Sequence, residues 1–163
     1  MFYIWEEIIA QIDHEYLCNV IGNLSGIPIR VYKDGQRTFY NSLVRLPADP
    51  LKLYEKEVLA IKAHIGYFIT PSFHYYGVVG DEHIRIVIGP AVQTRSTNSE
   101  LRKLAFECDV PSDEVSEFVA AMNSIVHMPL ESVLQILCTI NYIINGEKLG
   151  LRDITIYDAE QEN

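Results

Sequence analysis

The chain has 163 residues, 48% of them apolar, with 22 acidic against 13 basic side chains and a formal net charge of −9. That length closes one hydrophobic core and is short for two, and the sign of the charge argues against a protein that neutralises phosphates along a duplex. No apolar run approaches the roughly 20 residues that span a bilayer, and Met1-Phe2-Tyr3-Ile4-Trp5-Glu6-Glu7 lacks the basic start of a secretory signal; a cytoplasmic protein with no membrane partner is expected.

Trp5, Ile8, Ile9, Ile12, Tyr16, Val20 and Leu24 fall three or four apart, which predicts one helical face with a break near Asp13 and a stop at Ser25-Gly26. Ile27 to Lys33 then alternates as a strand. Asp34-Gly35 is a two-residue hairpin signal leading into a second strand through Thr38-Phe39-Tyr40. Asp49-Pro50 opens a helix reaching about Lys62, the acid as N-cap and the proline where its missing N–H costs nothing. Three strands follow: Ile65 to Thr70, Phe73 to Val79 and Glu82 to Ile88, the last two joined by Gly80-Asp81. Gly89-Pro90 is expected to end the sheet, because proline cannot donate to a ladder.

The remainder predicts three helices. Thr97 and Glu100 have capping-box spacing; Ser112 opens a second helix with Asp113 and Glu114 against its dipole. The third runs from Pro129 to Asn145-Gly146 and is apolar over more than one stripe, so it is either covered on two sides or meets another subunit. The order helix, two strands, helix, three strands, three helices is most simply an α+β fold. A central antiparallel sheet of about five strands with flanking helices, PAS-like or GAF-like, buries these patterns.

Leu24-Ser25-Gly26-Ile27-Pro28-Ile29, Ile69-Thr70-Pro71 followed by Tyr75-Tyr76-Gly77, Ile88-Gly89-Pro90, and Leu134-Gln135 through Asn141-Tyr142-Ile143-Ile144-Asn145-Gly146-Glu147 together resemble the N-terminal PAS/GAF-like sensor domain of AraC/XylS-type bacterial transcription regulators. The resemblance covers roughly Ile4 to Lys148. It implies a sensor domain over residues 1–150, a tail or linker over 151–163, and a helix-turn-helix part that these residues do not contain. It also implies a small-molecule ligand, a homodimer through the first and last long helices, and no direct contact with nucleic acid.

Catalytic chemistry and cofactors are not expected. Cys18, Cys108 and Cys138 are an odd set without CxxC spacing, as befits buried thiols in a reducing compartment. His14, His64, His74, His83 and His127 form no HxxxH or HExxH pair, so no metal is expected; His64 and His74 bracket one strand, where they could meet across the sheet. Ser25 and Ser72 lack a nucleophile elbow. The aromatic strands carry the functional expectation instead: Tyr40, Tyr67, Phe68 and Tyr76 could wall a pocket or simply fill a core. If Ile84, Ile86 and Ile88 face the terminal helices, Arg85 faces the opposite side, beneath the Asp49 helix. There it would meet a ligand anion or form a salt bridge to Asp81, Glu82 or another surface acid. Two alternatives to sensing remain: a PAS/GAF-like interaction domain with a filled core, and a small hydrolase or transferase using His74 or His64 as base.

Overall fold

The computed structural model describes residues 12–156. Helix α1 (His14–Ser25) starts where Asp13 caps it, its carboxylate accepting from Tyr16 N–H at 3.0 Å, and ends at Gly26, whose φ of 80° suits a residue without Cβ. The expected helical turn from Trp5 to Gln11 lies outside the described residues. Strands β1 (Ile29–Lys33) and β2 (Gln36–Asn41) form the hairpin at Asp34-Gly35.

The helix expected from Asp49 to Lys62 is instead a 3-10 turn, Pro50–Leu53, followed by the short helix α2 (Glu55–Leu59). Asp49 caps the turn as expected, accepting from Leu51 N–H at 3.0 Å. Strands β3 (Ile65–Ile69), β4 (Tyr75–Gly80) and β5 (Ile84–Ala91) form an antiparallel meander. β5 does not stop at Gly89-Pro90: it runs on to Ala91, which pairs with Tyr75 beside a register shift between Tyr75 and Gly77. A bulge interrupts the ladder, so the missing proline N–H is tolerated there.

Helix α3 (Asn98–Glu107) has the capping box, with Glu100 N–H donating to Thr97 Oγ1 and Thr97 N–H to Glu100 Oε1. A 3-10 turn at Ser112–Glu114 leads into α4 (Val115–Asn123), and α5 (Leu130–Asn145) is the long last helix. The residues after Gly150, expected as tail or linker, begin inside the fold: a turn at Leu151–Asp153, a buried Ile154, and a two-residue strand β6 (Thr155–Ile156) parallel to β3.

The fold is therefore α+β, with an antiparallel sheet of five strands flanked by helices and β6 added at one edge, in the order β2-β1-β5-β4-β3-β6. Alternation puts Ile29, Val31, Ile86 and Ile88 on one face, packed with Val133, Leu137 and Ile140 of α5 and Cys18 of α1. α5 lies so close to β4 that a Cβ on Gly77 would sit 2.6 Å from a Leu137 methyl. The opposite face carries Tyr32, Phe68, Tyr76, Val78 and Val87, covered by Leu51, Val58 and Ile61. A third cluster, including Leu101, Leu104, Phe118 and Met122, holds α3 against α4.

Candidate functional site

The five residues expected to form a pocket divide between the two faces. Tyr67 packs with the α1 and α5 core, whereas Phe68, one residue on, points the other way and stacks on Tyr76 with ring centres 5.1 Å apart. Tyr54 leans on Phe68 at 6.0 Å. These rings are filled core: Phe68, Tyr76 and Tyr32 are all buried. Tyr40 lies at the margin, opposite Arg30 on the neighbouring strand.

Arg85 is on the expected face and is 4% exposed, but it meets neither anticipated partner. Its guanidinium donates to two carbonyls just beyond α2, Ile61 at 2.6 Å and Ala63 at 3.2 Å. A chain leaving a short helix has carbonyls without helical donors, and they supply the acceptors that a ligand anion or Asp81 was expected to supply. Arg85 Nε and the Tyr76 hydroxyl have no hydrogen-bond partner among the described residues.

The charge that sequence reading missed is Arg30, which is fully buried. It makes a two-pronged contact with Asp49, both distances 2.7 Å, and donates to the Gly89 carbonyl at 2.8 Å. Burial disfavours its charge, but the Asp49 carboxylate more than offsets this and raises its pKa. Arg37 also reaches Asp49, at 3.3 Å, and both guanidinium carbons lie 5.1 Å from the Tyr40 ring centre. The signal in the sequence was Arg30 between the apolar Ile29 and Val31 with Asp49 as a helix cap, and neither residue alone announces the pair.

His64 and His74 do not meet. His74 is buried in the β3–β4 turn, where Ser72 Oγ lies 2.8 Å from its Nδ1 and Thr70 Oγ1 2.9 Å from Ser72. Burial lowers its pKa to about 4, so the ring is neutral at physiological pH. Ser72 opens on a cleft of about 110 Å3 shared with Tyr54, Glu100 and Lys103.

A larger cleft, about 420 Å3, lies at the far end of the sheet and joins four segments. His14 comes from the first turn of α1, His64 from just before β3, Asp81 and His83 from the β4–β5 turn, and Asn145 and Glu147 from the end of α5. His64 Nε2 lies 2.8 Å from Glu147, which also accepts from Asn141 at 3.1 Å; His83 Nδ1 lies 3.1 Å from Asp34. The His64 hydrogen bond, then that of Asn141, lowers the Glu147 pKa, while the Asp34 hydrogen bond raises that of His83. Burial and the charge of Lys33 lower His14. Among the described residues no group of three or more His, Cys, Asp or Glu side chains could hold a metal ion.

The three cysteines are buried. Burial pushes the Cys18 thiol up to about 12 and Cys108 to about 11, which removes both as thiolate nucleophiles. Among the described residues no helix is long and apolar enough to cross a membrane. No family model, curated protein or solved structure matches the chain.

Proposed function

We propose that this chain is a non-catalytic, ligand-sensing and dimerising module of a bacterial transcription regulator. One observation carries the reading: α1 belongs both to the large cleft and to an apolar stripe left exposed among the described residues. His14 in its first turn lines the cleft. Tyr16, Val20 and Leu24, spaced four apart, are 69%, 43% and 87% exposed. Such spacing makes a self-complementary seam, and a second copy of α1 is the partner that fits it. Tyr142 and Ile143 of α5 are also exposed and extend the apolar surface of the last helix.

The buried rings on the Arg85 side support a sensing site elsewhere than the aromatic strands, and the cleft at the ends of α1 and α5 is the alternative location. A ligand there would bias how the two helices lie on the sheet, provided it binds two arrangements unequally. The regulatory setting itself rests on the AraC/XylS resemblance. Light scattering on the eluting protein tests the module: a dimer is expected, and Leu24→Glu with Val20→Glu should give a folded monomer. A wild-type monomer at micromolar concentration would sink the reading.

A second reading has the Ser72–His74 contact in its favour, since a serine beside a neutral imidazole is the pair a hydrolase uses. In that case a fluorophosphonate probe labels the wild type and neither Ser72→Ala nor His74→Ala. An unlabelled wild type removes it.

A further inference from the structure

Strand β2 forms one border of the sheet, and α1 lies along that same border. We propose that two copies of the chain join there, β2 pairing antiparallel with β2 of the second copy, so that one sheet runs through both chains and the two α1 helices lie side by side on it. That the chain dimerises rests on the function proposed above; the pairing of the strands is a separate interface.

The edge is fit to pair. Among the described residues no backbone group other than those of β1 hydrogen-bonds to β2. Edge strands are commonly blunted by charge, proline or a bulge. β2 has a bulge, where Val31 and Tyr32 pair with Phe39 and Arg37 and Thr38 is passed over. Beyond it Phe39, Tyr40 and Asn41 pair in regular order with Val31, Arg30 and Ile29, and the three carry neither charge nor proline. Tyr40 is the middle residue of this stretch. Its ring is 37% exposed and is held by the guanidinium groups of Arg30 and Arg37. A two-fold axis at Tyr40 sets this ring against its own copy, a favourable cross-strand aromatic pair.

The helix above has its centre at the same level. α1 runs against the direction of β1: Glu15 reaches Lys33 at 3.6 Å, and Gly22 sits over the Ile29–Asn41 pair, where an added Cβ would lie 2.6 Å from Asn41 Nδ2. The Arg30–Tyr40 pair is about 3.3 Å further along the strands, or about two residues back along the helix, near Val20. Asn23 marks the helix side next to the edge by accepting from Asn41 at 3.1 Å. Helical spacing puts Tyr16, Asn19 and Val20 on that side too; all four are exposed and none is charged. A helix face without charge is what the core of an interface asks for.

The spacing also closes. An axis normal to the sheet keeps both α1 helices on one face. With strands about 4.8 Å apart, a helix lying over β1 and β2 is about 4.8 Å from the join, and its copy is as far beyond. The two axes are then about 10 Å apart, the separation of packed helices. Each β2 is used once, so the assembly stops at two chains.

Tyr40→Cys tests the centre of the join. Directly opposite residues of antiparallel strands have Cα atoms about 5 Å apart, within disulfide reach, whereas Arg37→Cys sets its two thiols about 20 Å apart across the same axis. The three native cysteines are buried. Under mild oxidation Tyr40→Cys should give a covalent dimer on a denaturing gel and Arg37→Cys should not. On the unaltered chain, amide exchange over Phe39–Asn41 should slow as the protein is concentrated from the monomeric into the dimeric range. Failure of Tyr40→Cys to cross-link, equal cross-linking of both variants, or exchange that does not change with concentration overturns the strand pairing. If light scattering still shows a dimer in that case, the α1 seam stands without it; a wild-type monomer overturns both.

Discussion

Against α1 and α5 the sheet presents Ile29, Val31, Val79, Ile86 and Ile88, and the helices answer with Val133, Leu137 and Ile140. Against the Pro50–Leu59 segment it presents Arg30, Tyr32, Tyr76 and Arg85, all buried. The first face is held by burial of hydrocarbon, with Leu137 of α5 seated against Gly77 of β4. The second is held by specific partners: Asp49 on Arg30, Glu55 on the Tyr32 hydroxyl at 2.8 Å, and the Ile61 and Ala63 carbonyls on Arg85. The polar face anchors the segment that covers it.

Equilibrium unfolding in urea can break this contrast. Asp49→Ala should do the greatest damage, about 3–5 kcal/mol, because it leaves the fully buried Arg30 unpaired and removes the cap of the Pro50 turn. Leu137→Ala, opening a cavity over Gly77 on the other face, should cost about 3 kcal/mol. A loss at Asp49 no greater than at Leu137 would mean that the polar face is not the specific one. Arg85→Met should cost only about 1–2 kcal/mol, since two carbonyls lose a donor while a buried charge with an unpartnered Nε is removed. Smallest of all, Tyr76→Phe deletes a hydroxyl with no partner among the described residues and should change stability by less than about 0.5 kcal/mol or raise it. A loss above about 2 kcal/mol there would reveal a hydrogen bond to something other than those residues.

The strands were legible because alternation and turn chemistry are local. Ile84, Ile86 and Ile88 told which way β5 faces, and Asp34-Gly35 and Thr97/Glu100 marked their turn and cap. The helix after Asp49 was over-read: its start signal is local, but its length is set by α2 having to end where the Ile61 and Ala63 carbonyls reach Arg85. β6 escaped notice because two residues carry no period. Of the candidate pocket, the sequence offered Tyr40, Tyr67, Phe68 and Tyr76 together and put Arg85 beneath the Asp49 helix, but it could not say which rings share a face or whether the space between them is filled; that depends on the ring of Tyr54 arriving from another segment. The clustering of His14, His64 and His83 was invisible for the same reason, since tertiary pairing alone unites them.

The sheet order has a consequence for how the chain acquires its shape. β1 and β2 can form a hairpin as soon as they are made, and β3, β4 and β5 likewise form a local meander. The join between the two, β1 against β5, unites residues as far apart as Arg30 and Gly89, 59 positions along the chain. Pairings so distant in sequence are the kind that form slowly, because the loop must close before they contribute. Until it happens, β1 is an open edge bearing Ile29, Val31 and an arginine with only half its partners, and during synthesis that edge must wait for β5 to emerge.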